Sequence, residues 1–312
     1  MKLGVTSAAY RAALRAGALD LGQWIETCAR DLDVDGVEFA ADALPSEPRA
    51  LREIKRACVE RQLTIAGVGL DADLCEETTR PREIERVRQA CDVAAYIGAP
   101  VLRITAGEPR AVQPARDDGR IIGLFRKVFG ERQIDRRRLW SDVMWALRGC
   151  ADYAAERGTV IAVQNGEQQA LIHHGPALAQ AVRDVGSPWL RCCPDPASMP
   201  VAGGFDVAVA TAAQVRVLLR RVLDDGADAT LYLPETLRML RLGGYRGFVI
   251  LDYAGAEDVT SAMPRAARYV RGVLQLLQRQ HLLEETRAGN GRSPYEAAEA
   301  VRRAVREPVQ KA

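Results

Sequence analysis

The sequence predicts an α/β fold in which eight parallel strands alternate with helices and close into a single barrel. Three observations lead to this prediction. Short β-branched runs recur along the chain, and most are followed by a helical pattern of apolar residues. The length of 312 residues suits one large (β/α)8 barrel. Polar side chains follow several of the runs, where such a barrel carries its chemistry.

The eight runs are short and apolar, as strands that are buried on both faces should be. The predicted strands are Lys2–Ser7, Asp35–Ala40, Leu63–Val68, Val101–Thr105, Val160–Gln164, Leu190–Cys193, Val215–Leu219 and Phe248–Asp252. The seventh run also suits a helix, because it contains an arginine and Val215–Asp224 has no clean period of two.

The intervening segments have helical periodicity. The predicted helices are Leu21–Leu32, Pro48–Gln62, Arg80–Ile97, Trp140–Arg157, Pro176–Val185, Leu233–Leu242 and Ser261–Gln280. Gly98 stands where a helix commonly ends in a left-handed residue. We therefore expect a TIM barrel over residues 1–280 and a C-terminal, partly helical extension over residues 281–312. Within the extension, Pro294–Arg306 has an amphipathic pattern.

Composition excludes several classes of function. The formal net charge is +2, which provides no broad basic surface for nucleic acid or anionic membrane. No apolar stretch approaches the roughly 20 residues of a membrane span, and the first residues lack the apolar core of a secretory signal. Seven cysteines without a CxxC pair indicate reduced thiols and no zinc finger. We expect a cytoplasmic protein.

Carboxylates, amides and an arginine converge at the predicted strand ends, which suits a small polyhydroxylated ligand or a hard metal ion. The residues are Glu38, Asp71, Asp73, Arg103, Thr105, Gln164, Asn165, Glu167, Asp195 and Asp252. Structural roles remain open for several of them. Glu38 and Arg103 suit an ion pair, Asp195 suits a cap of the following turn, and Asn165 with Gly166 suits a turn. His173 and His174 suit a solvated pair better than a pair of ligands.

Three stretches resemble the xylose-isomerase-like TIM barrels, a superfamily of sugar isomerases and epimerases that includes endonuclease IV-like proteins. They are Ile97–Arg103 followed by Gly107, Val160–Asn165, and Gly244–Tyr253. The segments Gly186–Pro188 and Asp195–Ser198 add to the likeness, which covers roughly residues 1–280.

The resemblance implies a divalent ion, Mn²⁺ or Mg²⁺, held by Glu, Asp, His and Glu after strands five to eight, with the two Glu transferring a proton. At these four positions this sequence has Gln164, Asp195, an apolar residue or arginine near Leu218, and Asp252. In addition, Gly166 stands where the family has a histidine. Gln164 supplies an oxygen without charge and cannot be a base near neutral pH. We expect weaker metal binding and no intact two-glutamate mechanism.

From this reasoning we expect Asp252, Asp195 and Glu167 to be catalytic, with Glu167 as a substitute base. Glu38, Arg103, Asn165 and Gln164 are expected to bind substrate, and Asp195, Asp252 and Gln164 to hold metal. His173 or His174 is a substitute ligand.

Three functions follow from these expectations. The first is a sugar or cyclitol isomerase or epimerase with a remodelled metal site. The second is a metal-independent lyase, or a catalytically silent subunit that binds a sugar or a partner, in a homo-oligomer or a larger complex. The third, endonuclease IV-like cleavage, needs more histidines than the three present.

Overall fold

A computed structural model of the chain describes residues 1–109, 135–200 and 203–288. Its eight strands confirm the predicted alternation, including the doubtful seventh strand. The strands are β1 Lys2–Thr6, β2 Gly36–Ala40, β3 Thr64–Leu70, β4 Val101–Thr105, β5 Val160–Gln164, β6 Leu190–Cys193, β7 Val215–Leu219 and β8 Phe248–Tyr253.

All ladders of the sheet are parallel, and the strand order is β6-β5-β4-β3-β2-β1-β8-β7. The two edge strands approach each other through single contacts. The amide of Ala213 donates to the carbonyl of Cys192 at 2.9 Å, and the amide of Arg216 donates to that of Pro194 at 3.2 Å. These contacts nearly close the sheet into the expected barrel.

Helices surround the barrel. In chain order they are α1 Arg11–Arg15, α2 Leu21–Arg30, α3 Pro48–Glu60, α4 Arg80–Ile97, α5 Arg136–Ala155, α6 Gly175–Val185, α7 Phe205–Val209, α8 Leu233–Leu242 and α9 Val259–Ala288. Asp20 begins α2 with a capping box, and Gly98 ends α4 at φ 80°, the left-handed conformation that glycine adopts without strain.

Two helix ends differ from the sequence prediction by more than two residues. Helix α5 begins at Arg136 rather than Trp140, because the Asp135 side chain accepts hydrogen bonds from the amides of Arg137 and Arg138. Helix α9 continues past Gln280 to Ala288. The helix predicted at 294–306 lies outside the described residues.

The main apolar core lies between the outer face of the strands and the helices. A separate small cluster, Val101, Ala162 and Cys193 with Ala213, fills the lower interior of the barrel. Side chains alternate along a strand, so Arg103 and Gln164, each two residues after a member of this cluster, also point inward. The interior therefore has an apolar lower layer and a polar layer above it.

Glycines form one wall of the barrel interior. A Cβ added at Gly4 would lie 2.6 Å from Cδ1 of Ile250, and one at Gly67 would lie 2.9 Å from Oε1 of Gln214. A Cβ at Gly69 would overlap the guanidinium of Arg103. At these positions β1 and β3 thus present backbone to the interior, against large side chains of the neighbouring strands β8 and β4 and of Gln214, which precedes β7.

All seven cysteines are buried free thiols. Burial raises the pKa of Cys58, Cys91 and Cys150 to about 12 and that of Cys192 to about 11, so these thiols stay protonated. Within the described ranges, no helix combines the length and the hydropathy that a membrane crossing needs.

Candidate functional site

Arg103, on β4, is the centre of a buried hydrogen-bond network in the polar layer. Its Nε donates to Oε1 of Glu38 on β2 at 3.3 Å, and its Nη1 donates to Oε1 of Gln164 on β5 at 2.8 Å. Gln214 donates to the other oxygen of Glu38. Arg103 and Glu38 are almost fully buried, so the pair that the sequence offered as a structural alternative is present.

Asp71 extends this network to the solvent. Nη1 of Arg103 lies 3.4 Å from Oδ1 of Asp71, whose side chain is 58% exposed, and Nη2 of Arg11 lies 3.5 Å from Oδ2. Burial alone would raise the pKa of Asp71, but the charges of Arg103, Arg216 and Arg11 hold it below its usual value. Burial alone would lower the pKa of Arg103, but Glu38 and Asp71 keep it above its ordinary value. Both groups are charged at neutral pH.

Asn165 and Asp195 form a second buried unit at the ends of β5 and β6. The Asn165 amide accepts from the backbone amide of Asp195 at 2.8 Å and donates to the backbone carbonyl of Asp195 at 3.1 Å. Both side chains are buried. Asn165 therefore fixes the backbone of Asp195, while its predicted role in binding substrate stays a prediction.

The carboxylate of Asp195 already accepts three hydrogen bonds. Its Oδ1 accepts from the amides of Ala197 at 3.1 Å and Leu218 at 3.3 Å, and its Oδ2 accepts from the hydroxyl of Ser198 at 2.8 Å. The turn-capping alternative is thus observed, because Asp195 caps the short helix Pro196–Ser198.

Asp252, at the end of β8, pairs with an arginine that the sequence reasoning missed. Its Oδ2 accepts a hydrogen bond from Nη2 of Arg216 on β7, and its Oδ1 accepts from the amide of Tyr253 at 2.7 Å. Both side chains are largely buried. The alternation of Gln214, Arg216 and Leu218 along β7 could have placed Arg216 inside the barrel, had the strand itself been clear.

Glu167 and the two histidines lie outside the polar layer. Glu167 is 62% exposed and pairs with Nη2 of Arg220 at 2.7 Å, so its predicted role as a base depends on a movement inward. Nδ1 of His174 accepts from the amide of Ala177 at 3.0 Å and caps α6. Nδ1 of His173 lies 3.2 Å from the carbonyl of Ala170.

The predicted metal ligands do not fit a divalent ion. Within the parts of the chain that the structure describes, His, Cys, Asp and Glu side chains form no group of three or more that could hold a metal. The carbonyl oxygen of Gln164 faces Arg103, Asp252 faces Arg216, and both oxygens of Asp195 accept from N–H or O–H donors. A hard ion needs free anionic oxygens, and these oxygens face positive or donating groups.

Two cavities open at the carboxyl ends of the strands. The smaller, about 160 Å³, is lined by Thr105, Gly107, Glu108, Gln164, Gly166 and Ile172, among others. The larger, about 410 Å³, adjoins the ends of β1 and β2, and its lining includes Ser7, Arg11, Arg15, Ala40 and Asp42. Arg11 also contacts Asp71, so the larger cavity borders the charged network of Arg103.

His174 makes the stability of α6 depend on pH. Burial and the neighbouring His173 lower its pKa. As the pH falls, His174 is protonated in the unfolded chain before it is protonated in the folded protein. The stability that neutral His174 contributes is therefore complete above about pH 6.5 and is lost as the pH falls toward the lower pKa of the folded state. Protonation of Nδ1 would also remove the acceptor for the amide of Ala177.

We therefore expect His174→Asn, which keeps a capping oxygen that does not titrate, to lose less stability than the parent between pH 8 and pH 5. The difference should be of the order of the ~1 kcal/mol that N-caps contribute. Urea unfolding at the two pH values measures it. Equal losses in both proteins would contradict the assignment.

Comparison with solved structures finds sugar epimerases of the same fold. D-psicose 3-epimerase from Clostridium cellulolyticum H10 matches with a TM-score of 0.68 at 17% identity, over 89% of this chain and 99% of that chain. The 3-keto-D-glucoside 4-epimerase YcjR from E. coli matches with a TM-score of 0.68 at 16% identity, over 87% and 99%. An L-ribulose 3-epimerase matches with a TM-score of 0.66 at 14% identity, over 90% and 97%.

Comparison with curated proteins finds no match. The family model described as xylose isomerase-like TIM barrel matches residues 27–280, most of the chain and all strands from β2 to β8. The order of the strands and the position of the polar layer at their carboxyl ends agree with this match. The chain belongs to the xylose isomerase-like TIM barrel family.

Proposed function

We propose that this protein binds a small polyhydroxylated compound, of the sugar or cyclitol class, at the carboxyl face of its barrel and acts on it as an isomerase or epimerase. One observation carries the proposal: charged and amide side chains from β2, β4, β5, β7 and β8 meet in one buried layer beside two cavities. Hydroxyl groups of a ligand would find both donors and acceptors there.

Most of the predicted residues have a direct role in this proposal, and Asn165 acts through the backbone of Asp195. Arg103 and Gln164 face the ligand from one side, and Glu38 holds Arg103 in place through its ion pair. Asp252 is the carboxylate that moves a proton on a carbon next to a carbonyl group. Asp195 is held in one orientation by its three hydrogen bonds, and Glu167 stands at the rim.

A divalent ion, Mn²⁺ or Mg²⁺, would polarise a ligand carbonyl in the remodelled site that the sequence suggests. Since the donor set does not fit such an ion, the proposal assigns no step to it. The second candidate, a metal-independent lyase or a silent binding subunit, gains support from the pairing of Asp252 with Arg216, which neutralises the carboxylate without a metal.

Two measurements test the proposal with one panel of ketoses, aldoses and inososes. Thermal unfolding reports binding, because a bound ligand stabilises the folded state. Proton NMR in D₂O reports deuterium uptake at the carbon beside the carbonyl, which isomerases and epimerases that shuttle a proton produce. We expect at least one compound to do both.

Asp252→Asn should lose deuterium uptake while the fold is kept, and Asp31→Asn is the matched control, because Asp31 is a surface carboxylate at the end of α2 that pairs with Arg30. Stabilisation by a compound without deuterium uptake would favour the silent binding subunit. No stabilisation by any compound of this class would contradict the proposal.

A further inference from the structure

Arg216 is a largely buried cation that faces Asp252, one of the catalytic carboxylates proposed above. Its guanidinium pairs with Oδ2 of Asp252, and the charges of Asp195, Glu38 and Asp71 act on it. Burial and the like charge of Arg103 nevertheless lower the pKa of Arg216, so keeping its guanidinium charged in this site costs free energy. A buried charge is stable only when opposite charges and hydrogen bonds around it compensate for its desolvation.

The backbone of the same strand also approaches Asp195. The amide of Leu218 donates to Oδ1 of Asp195 at 3.3 Å, and Leu218 is the register partner of Asp252 on β8. Strand β7 therefore contributes an N–H donor to one carboxylate and a guanidinium to the other. Leu218 has no atom that could ligate a metal, and the residue two positions before it carries a permanent positive charge.

One donor of Arg216 is left over. Its Nε is buried and has no hydrogen-bond partner among the described residues. A buried N–H without a partner is uncommon in folded proteins, and a ligand or water oxygen usually satisfies it. The donor lies on the side chain that already holds Asp252.

We propose that Arg216 is the resident cation of this site, in the role that a divalent ion would otherwise hold between Asp252 and Asp195. It balances both carboxylates at neutral pH and offers N–H donors, Nε included, to an oxygen of the ligand. This inference rests on the proposed function, because it assigns Arg216 to the same ligand site. It makes the charge of the site independent of metal supply.

Removing the guanidinium of Arg216 and adding a side chain that can ligate a metal should allow the site to bind a divalent ion. The double variant Arg216→Gln with Leu218→His removes the charge and adds an imidazole opposite Asp252. The single variant Leu218→His is the matched control, since it adds the imidazole while Arg216 stays. The probe is Mn²⁺ alone, followed by the EPR signal of the free ion, with circular dichroism to verify the fold.

We expect the parent and Leu218→His to bind no Mn²⁺ at about millimolar concentration, and the double variant to bind one ion at least about tenfold more tightly. Arg216→Met with Leu218→His serves if the first double variant does not fold. Stoichiometric Mn²⁺ on the parent or on Leu218→His would overturn the proposal. A folded double variant that binds no better than the parent would overturn it too. Neither outcome depends on the sugar panel, so this proposal and the proposed function can fail separately.

Discussion

Arg103→Met should lower the free energy of unfolding by about 3–5 kcal/mol, because it leaves the buried carboxylate of Glu38 without its cation. Glu38 is fully buried and, among the residues that the structure describes, would keep only the hydrogen bond from Gln214. Methionine fills much of the space of the arginine stem, so the loss reports the charge rather than a cavity. Urea unfolding at neutral pH measures the change.

Two further variants show whether the effect comes from the unpaired charge. Adding Glu38→Gln to Arg103→Met removes that charge and should recover part of the lost stability. Arg220→Ala removes an arginine whose ion pair with Glu167 is exposed, and should cost no more than about 1 kcal/mol. If Arg103→Met cost as little as Arg220→Ala, the buried pair would not be holding the polar layer together.

Asn165→Ala should lower the free energy of unfolding by about 1–3 kcal/mol, since it leaves the buried amide of Asp195 without its hydrogen-bond acceptor. The Asn165 side chain also donates to the carbonyl of Asp195, which keeps a second hydrogen bond from the amide of Ser198 at 3.3 Å. The same change releases the segment that holds the Asp195 carboxylate. We therefore expect stabilisation by sugars to fall together with the stability.

Gln180→Ala is the matched control, because the Gln180 amide is exposed and, in the part of the chain that the structure describes, makes one side-chain hydrogen bond, to Asp184. Surface changes of this kind usually shift stability by no more than about 0.5 kcal/mol. A loss from Asn165→Ala no larger than that of Gln180→Ala would contradict the bridging role.

The strands were predictable because burial on both faces gives them continuous apolar runs. Val101–Thr105, Val160–Gln164 and Leu190–Cys193 have the predicted bounds. Strand β3 continues to Leu70, whereas the prediction ended it at Val68, because Gly69 does not resemble a strand residue in isolation. The side chain of Arg103, which is distant in sequence, lies against Gly69 and leaves no space for a larger residue there.

The candidate site was predictable only where a residue type pointed to chemistry by itself. The Glu38–Arg103 pair and the buried carboxylates of Asp195 and Asp252 follow from polar residues at the ends of apolar strands. Arg216 and Gln214 were missed, because arginine and glutamine in a weakly patterned strand usually face solvent. Their burial depends on carboxylates supplied by β2 and β8, which β7 alone does not reveal.

The glycines of β1 and β3 leave no side chain to shorten at their own positions in the barrel interior. There, an enlarged ligand space must come from trimming the side chains that lie against them, which are Ile250 and Arg103 on the neighbouring strands and Gln214 before β7. A larger residue at Gly69 would be tolerated only with a smaller one in place of Arg103. Substitutions at such facing positions should therefore change in pairs, both among natural relatives and in libraries that redesign the substrate range.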